Sequence, residues 1–250
     1  MDNRDKFSSK VSDYVKYRPT YPTEFIKYLV NEVGLSNRIV ADVGAGTGIL
    51  TKLLAPDVKK ICAVEPNFNM RSACEEYCSE FDNFLAVDGS AEQTGLLDDS
   101  VDFITVAQAF HWFDREKTKM EFQRILKTSG KVILVWNSRV AENIFIKEND
   151  ELCRRVCPEF NGFSGGSDTS TEAYADFFKD GICENRVFEN DRLLTLDAYI
   201  GGSLSASYAP AENDGNYKEF IDGLKDLFNK YSINKRLLLP NKTHSYIGEV

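Results

Sequence analysis

A glycine-rich turn and an acidic residue occur at a spacing that could hold a nucleoside. The apolar run Ile39–Val43 ends in a turn containing Gly44, Gly46 and Gly48, and a second apolar run ends at Glu65. In an open α/β sheet, such a turn lets a ligand approach the backbone, and the acid after the second strand reaches two ribose hydroxyls. Glu65 is therefore predicted to bind the ribose of a nucleoside-containing ligand.

The glycine spacing bears on which nucleotide is bound. A dinucleotide fingerprint has glycines at its first, third and sixth positions, because the pyrophosphate sits on a helix N-terminus. Here the sixth position is Ile49. Asp42, just before the turn, suits an ammonium group, which nicotinamide dinucleotides lack. The hypothesis of a nicotinamide-dependent oxidoreductase is therefore disfavoured, although tight binding of NAD would support it.

With these motifs the chain resembles the class I S-adenosylmethionine-dependent methyltransferases, specifically the small-molecule group called type 11. The matching segments are Asp42–Gly48, Val64–Asn67, Gly89–Glu92, Asp99–Asp102 and Ala107–Phe113. The His111-Trp112 pair and the N-terminal segment Tyr17–Pro22 are similar to the subgroup of trans-aconitate methyltransferase.

The resemblance implies S-adenosyl-L-methionine as the cofactor. It implies that the glycine turn contacts the methionine part by its backbone, and that Met70 and Ala91 lie beside the adenine. Ser90 departs from the family, which has an acid there, so its hydrogen bond to the adenine amine is in doubt. The residues expected to bind the cofactor are Arg18, Asp42, Gly44, Ala45, Gly46, Glu65, Pro66, Met70, Ser90, Ala91 and Gln108.

Methyl transfer from a sulfonium is an in-line displacement, so alignment supplies much of the catalysis. His111 is the candidate catalytic residue, because an unperturbed imidazole suits a general base; packing of the helix against the sheet is the alternative. Trp112 could wall the pocket and attract the sulfonium by a cation–π contact. The residues expected to line the acceptor pocket are Tyr14, Trp112, Trp136 and Tyr208.

The amino-acid composition bears on which binding partners, cellular location and metals are expected. The 250 residues carry a net charge of −9, and no basic stripe offers itself to nucleic acid. No apolar run approaches the roughly 18 residues of a membrane span, and no secretion signal is visible, so a cytoplasmic location is expected. The six cysteines lack zinc-ligand spacing, so we expect free thiols and no metal.

Apolar runs and helical patterns alternate, which predicts an α/β, doubly wound, mostly parallel Rossmann-like sheet. The family resemblance implies seven strands, the last one antiparallel, with a helical cap or insert. We expect a single domain over residues 1–250. It comprises a core at 23–138, an N-terminal lid segment at 1–22, a helical insert at about 139–182, and C-terminal strands and cap helices at 183–250.

Local signals predict most element ends. Strands are expected at Ile39–Val43, Lys60–Val64, Phe84–Val87, Val101–Ala107, Lys131–Trp136, Val187–Leu196 and Arg236–Val250. Thr23 is expected to cap a helix that stops at Gly34, and Asp114 one that runs through Leu126 and is closed by Gly130.

The leading hypothesis is an enzyme that transfers a methyl group from S-adenosylmethionine to a small molecule, by O-, N- or carboxylate methylation. The alternative from another class is a non-catalytic S-adenosylmethionine-binding module. Binding without turnover against a broad acceptor panel would favour that alternative.

Overall fold

A seven-stranded sheet positions the candidate site. The computed structural model describes residues 20–163, 170 and 172–250. The strands are β1 Ile39–Val43, β2 Lys60–Val64, β3 Phe84–Val87, β4 Val101–Ala107, β5 Leu126–Arg139, β6 Glu184–Glu189 and β9 Asn241–Gly248, in the order β3-β2-β1-β4-β5-β9-β6; β7 Arg192–Leu194 and β8 Leu237–Leu239 form a separate pair. Strands β1 to β5 pair in parallel.

Strand β9 is the antiparallel strand of this sheet. Asn190 N donates to Asn241 O, and Asn185 Nδ2 donates to Ser245 O, so numbering falls along β6 as it rises along β9. The predicted seven-stranded, mostly parallel α/β sheet with an antiparallel last strand is confirmed.

Helices connect most of the strands. They are α1 Thr23–Lys27, which continues as a π-helix at Tyr28–Val33, α2 Ile49–Leu54, α3 Phe68–Tyr77, α4 Arg115–Ile125, α5 Ile144–Val156, α6 Glu172–Ala175, α7 Leu196–Leu204 and α8 Tyr217–Tyr231; short 3-10 turns occupy Phe110–Trp112 and Lys179–Gly181. Side-chain caps start several of them. Asn67 accepts from Met70 N at the start of α3, and Asp114 accepts from Lys117 N at the start of α4.

Both faces of the sheet are buried, which explains why its central strands are almost wholly apolar. Successive residues of a strand contribute to apolar clusters on opposite faces of the sheet. Val40 and Ile133 pack in one cluster, and Ala41 and Val132 pack in the other. The alternation fixes the register of each strand, because a slip of one residue would exchange the two faces.

The chain divides into two compact units. We call residues 20–136, 170, 172–188 and 243–250 the sheet unit, and residues 137–163 and 189–242 the helical unit. Helices α5, α7 and α8 and the β7–β8 pair share one apolar core in the helical unit. Gly223 lets α8 approach α5, because a Cβ there would lie 2.4 Å from Leu152 Cδ1. The single-domain organisation stays a prediction.

Two predicted helix ends are wrong. Thr23 does not cap α1; it is the first helical residue, because the Pro22 carbonyl accepts from Phe25 N and Ile26 N. Leu126 is extended and pairs with Val101, so it begins β5. Gly130 lies within β5, where a Cβ would lie 3.0 Å from Asp102 O.

Two predicted strands are each divided. The run 187–196 contains the end of β6 and all of β7, which belong to different sheets. The run 236–250 contains β8 and β9, separated by Pro240, which lacks the N–H that a continuous ladder needs.

Candidate cofactor site at the carboxyl edge of the sheet

The turn between β1 and α2 depends on three glycines. Gly44, Gly46 and Gly48 have φ values of 69°, 57° and 82°, which favour glycine. A Cβ on Gly44 would lie 2.7 Å from Ala109 Cβ, and one on Gly48 would lie 2.6 Å from Cys74 Sγ. A Cβ on Gly46 would meet, among the described residues, Met70 Sδ at 3.9 Å. The space in front of Gly46 is therefore open enough for a ligand atom.

Glu65 joins the ends of β1 and β2. Its Oε2 accepts from Gly46 N at 2.9 Å, and its Oε1 accepts from Asn67 N at 2.9 Å. The side chain is 8% exposed, and burial raises the pKa of Glu65, against the opposing effect of the two backbone hydrogen bonds. Each carboxylate oxygen retains a further lone pair, so Glu65 could still accept from a diol.

The other amides of the turn are already bonded. Gly44 N and Ala45 N both donate to Val64 O, at 2.9 and 3.2 Å. Pro66 lies between Glu65 and the capping residue Asn67. The three N–H groups of residues 44–46 therefore all point to the end of β2, which holds the turn in one conformation.

Asp42 is buried rather than presented at a surface. Its Oδ2 accepts from Thr51 Oγ1 at 2.6 Å, and its Oδ1 accepts from Thr105 Oγ1 at 2.8 Å. The side chain is 1% exposed, and burial raises the pKa of Asp42 although both hydroxyls oppose the shift. What is observed is a carboxylate that ties β1 to α2 and β4; contact with a ligand ammonium stays a prediction.

The expected adenine side is built from α3 and the loop after β3. Met70 is buried and faces Gly46, and Ala91 is 3% exposed. Ser90 pairs with Gln93 in an isolated bridge, so its backbone is fixed. Arg71, one position beyond Met70, donates to Glu65 O at 2.7 Å and pairs with Asp88 at 3.1 Å.

The loop after β4 carries Gln108 and the His-Trp pair. Gln108 has a φ of 58° and donates its N–H to Val135 O, which turns the chain sharply at the end of the strand. The His111 ring lies 4.5 Å from the Trp112 ring and 5.2 Å from the Trp136 ring, between centroids. Desolvation lowers the pKa of His111 to about 4, although part of the ring is exposed.

The two tryptophans differ in exposure. Trp112 is 52% exposed, whereas Trp136 is 2% exposed. Trp136 Nε1 has no hydrogen-bond partner among the described residues. The Trp136 indole N–H next to His111 could donate a hydrogen bond to a bound ligand.

Three predicted site residues lie outside the described part of the sheet unit, and their roles stay predictions. Tyr208 belongs to the helical unit, where its ring packs 4.8 Å from that of Phe160. Tyr14 and Arg18 lie outside the described residues. In the sheet unit, by contrast, the residues expected at the ends of β1 to β4 do occur at one edge of the sheet.

Sequence reasoning missed three residues that organise this edge: Thr51, Thr105 and Arg71. Thr105 is polar in a strand that is otherwise largely apolar and is fully buried, which is a usable signal for a buried hydrogen bond. Thr51 and Arg71 are the third and fourth residues of their helices, and no comparable sequence signal distinguishes them.

The described residues contain neither a metal-binding group of side chains nor a membrane-spanning helix. No group of three or more His, Cys, Asp or Glu side chains there is arranged to hold a metal ion. No helix in the described ranges combines the length and apolar character that crossing a membrane requires.

Comparison with known proteins bears on the same segment. Residues 41–134 match the family described as "Methyltransferase domain". An uncharacterised methyltransferase of Mycobacterium tuberculosis is 36% identical over 149 residues, which are 60% of this chain and 59% of that protein. One from Schizosaccharomyces pombe is 35% identical over 135 residues, 53% of each. The chain thus spans a little over half the length of these relatives.

Solved structures share the fold across nearly the whole chain. A protein from Anaeromyxobacter dehalogenans, assigned as a type II methyltransferase, superposes with a TM-score of 0.70 at 19% identity, covering 93% of this chain and 98% of that one. The YcgJ protein of Bacillus subtilis gives 0.58 at 20% identity, covering 92% and 100%. Residues 41–134 are therefore similar to a methyltransferase domain, and the chain shares its Rossmann-like fold with these solved structures.

Proposed function

We propose that this chain binds S-adenosyl-L-methionine and transfers its methyl group to a small-molecule acceptor. The observation that carries the proposal is the Glu65 carboxylate, held against Gly46 N at the carboxyl ends of two adjacent parallel strands. Ligands of open α/β sheets bind at that edge. The family match to residues 41–134 supports the same cofactor.

The described residues fit such a cofactor. Glu65 would accept from the two ribose hydroxyls through its remaining lone pairs, and the open side of Gly46 admits a close approach to the backbone. Met70, Ser90 and Ala91 would surround the adenine, with Gln108 at the end of β4. When bound, the cofactor supplies a methyl group already activated by its sulfonium. Asp42 would act as a positioning residue, through Thr51 and Thr105.

The protein would contribute alignment and exclusion of water. His111, with its lowered pKa, is neutral near pH 7 and a weak base, so it suits a role as a hydrogen-bonding wall of the acceptor site. Trp112 would offer an aromatic face to the sulfonium. A carboxylate acceptor needs no base, which agrees with the subgroup resemblance of the His-Trp pair. The methyl group would move by in-line displacement.

The proposal also includes Arg18 and Tyr14, whose roles are predicted from the sequence. The N-terminal segment would close over the cofactor, with Arg18 facing the carboxylate of its methionine part.

Transfer of radiolabel tests the function. The purified chain is incubated with S-adenosylmethionine labelled on the methyl group and a panel of carboxylates, phenols and amines, with Glu65→Gln as the inactive control. Label in an acceptor, lost in the variant, supports the enzyme. Binding of S-adenosylhomocysteine without transfer to any member of the panel would support the non-catalytic module instead.

A further inference from the structure

The helical unit contains four buried polar side chains with a donor atom that lacks a partner among the described residues. These atoms are Arg139 Nη1 at the end of β5, Asn149 Nδ2 in α5, Tyr199 Oη in α7 and Asn241 Nδ2 at the start of β9. Asn149 and Tyr199 are each 1% exposed. An unsatisfied buried donor is destabilising, so four in one small unit need an explanation.

Three of these side chains, Arg139, Asn149 and Tyr199, interact with Cys153 by contact or by charge. The Cys153 thiol lies 3.8 Å from Asn149 Oδ1, which directs the Asn149 amide nitrogen elsewhere, and Tyr208 hydrogen-bonds to the same thiol. The positive charge of Arg139 is close enough to favour ionisation of both Cys153 and Tyr199, against the larger effect of burial.

Arg139 has an aromatic neighbour and, in the described structure, an unpartnered guanidinium nitrogen. Its guanidinium carbon lies 3.6 Å from the Phe163 ring centroid, and its Nη1 has no hydrogen-bond partner among the described residues. Asn241 lies beside it, because Val140 N donates to Pro240 O and sets Asn241 opposite Arg139; Asn241 Nδ2 is likewise buried and unpartnered in the described structure. A guanidinium with neutral donors around it is complementary to a planar anion.

The surroundings narrow the class of anion. The cluster contributes one cation, which matches a singly charged carboxylate better than a phosphate dianion. The charge of Asp150 also acts on Cys153, and Asp150 is paired with Arg154. The aromatic side chains Phe160, Phe163 and Tyr208 pack in or against the core of the helical unit.

We propose that Arg139, Asn149 and Tyr199 form a binding site for the carboxylate of a small molecule with an apolar body. Arg139 supplies the charge, and the Asn149 amide and Tyr199 hydroxyl donate to the carboxylate oxygens. The site lies wholly in the helical unit and does not depend on methyl transfer.

Calorimetric titration with phenylacetate, using phenylacetamide as the uncharged control, tests the site on the full-length chain. We expect phenylacetate to bind and phenylacetamide to bind at least about tenfold more weakly, because the charge-assisted hydrogen bonds to Arg139 are lost. Equal affinity for the two compounds, or no binding of either, overturns the proposal.

Two variants separate this site from a merely structural cluster. Tyr199→Phe removes an unpartnered hydroxyl, so it should leave the melting temperature unchanged or raise it while weakening phenylacetate binding several-fold. Tyr217→Phe, in the same unit, should change neither. A drop in melting temperature with unchanged affinity in Tyr199→Phe would mean that the hydroxyl has a structural partner, such as water, and would overturn the proposal.

Arg139→Gln should reduce phenylacetate affinity about tenfold or more. Arg139→Met serves where the Gln variant fails to fold, and retained wild-type affinity in the folded variant contradicts the site. Binding of S-adenosylhomocysteine is measured on the same samples. If it persists while phenylacetate binding is lost, or fails while phenylacetate still binds, the two proposals stand or fall separately.

Discussion

Asp42 and Thr105 lie directly opposite each other on the neighbouring strands β1 and β4, and the Thr105 hydroxyl donates to the Asp42 carboxylate at 2.8 Å. Thr51 binds the other oxygen from α2. A carboxyl group that is 1% exposed thus accepts its side-chain hydrogen bonds from two hydroxyls. The arrangement links the strand before the glycine turn to the helix after it.

Thr105→Val should destabilise the protein by about 1–3 kcal/mol, because it leaves a buried carboxylate oxygen without its donor. Chemical denaturation measures the change. Thr118→Val is the matched control: the Thr118 hydroxyl is buried and has no partner among the described residues, so its loss should be neutral or stabilising. Equal destabilisation by both variants would show that the hydrogen bond to Asp42 does not account for the loss of unfolding free energy.

Gly48→Ala should cost more than the strain of a positive φ alone. At φ 82° an alanine is strained by roughly 1–2 kcal/mol, and its Cβ would also lie 2.6 Å from the buried Cys74 Sγ. Gly34→Ala separates the two effects, because Gly34 has a φ of 91° and open space around its Cβ position. Comparable losses of unfolding free energy in the two variants would rule out a steric role for Cys74.

His111 should affect stability in acid. Its folded-state pKa of about 4 lies below the unfolded value of about 6.5, so the unfolded state binds more protons between these values. The stabilisation is fully present above the unfolded pKa and is lost as the pH falls toward the folded one. Between about pH 7 and pH 5, the wild type should therefore lose more stability than His111→Asn.

The second histidine provides the control for that comparison. His244→Asn should reproduce the wild-type pH dependence if His111 is the responsible group. Parallel stability curves for wild type and His111→Asn across this range would contradict the lowered pKa. Activity measured in the same range should show no inflection that His111→Asn removes.

How far the sequence predicts this structure depends on the distance between interacting residues. The bounds of β1, β2, β3 and β4 follow from short apolar runs, and the structure confirms all four. The cap of α4 at Asp114 is equally local and is also confirmed. The break between β8 and β9 lies within a run of suitable strand residues, and the N–H that Pro240 lacks is the one local signal for it.

Contacts between distant residues were not predictable in the same way. The pairing of Asp42 with Thr105 depends on the register of β1 against β4, and 63 residues separate the two side chains. The grouping of Arg139, Asn149 and Tyr199 depends on how α5 and α7 pack. The roles expected of Arg18, Tyr14 and Tyr208 concern segments whose relation to the sheet edge no local pattern determines.

Glu65→Gln should weaken binding of S-adenosylhomocysteine by about tenfold or more, because an amide cannot replace both acceptor oxygens. It should also lower stability by about 1–3 kcal/mol, since Gly46 N or Asn67 N loses its acceptor. Glu75→Gln, an exposed residue of α3, should change neither. A Glu65→Gln variant that is destabilised but binds normally would restrict Glu65 to a structural role.

The most direct test of the central claim is calorimetric titration of the wild-type chain with S-adenosylhomocysteine, alongside NAD. We expect one molecule of S-adenosylhomocysteine to bind per chain, and NAD to bind much more weakly or not at all. No binding of S-adenosylhomocysteine, or tighter binding of NAD, would contradict it.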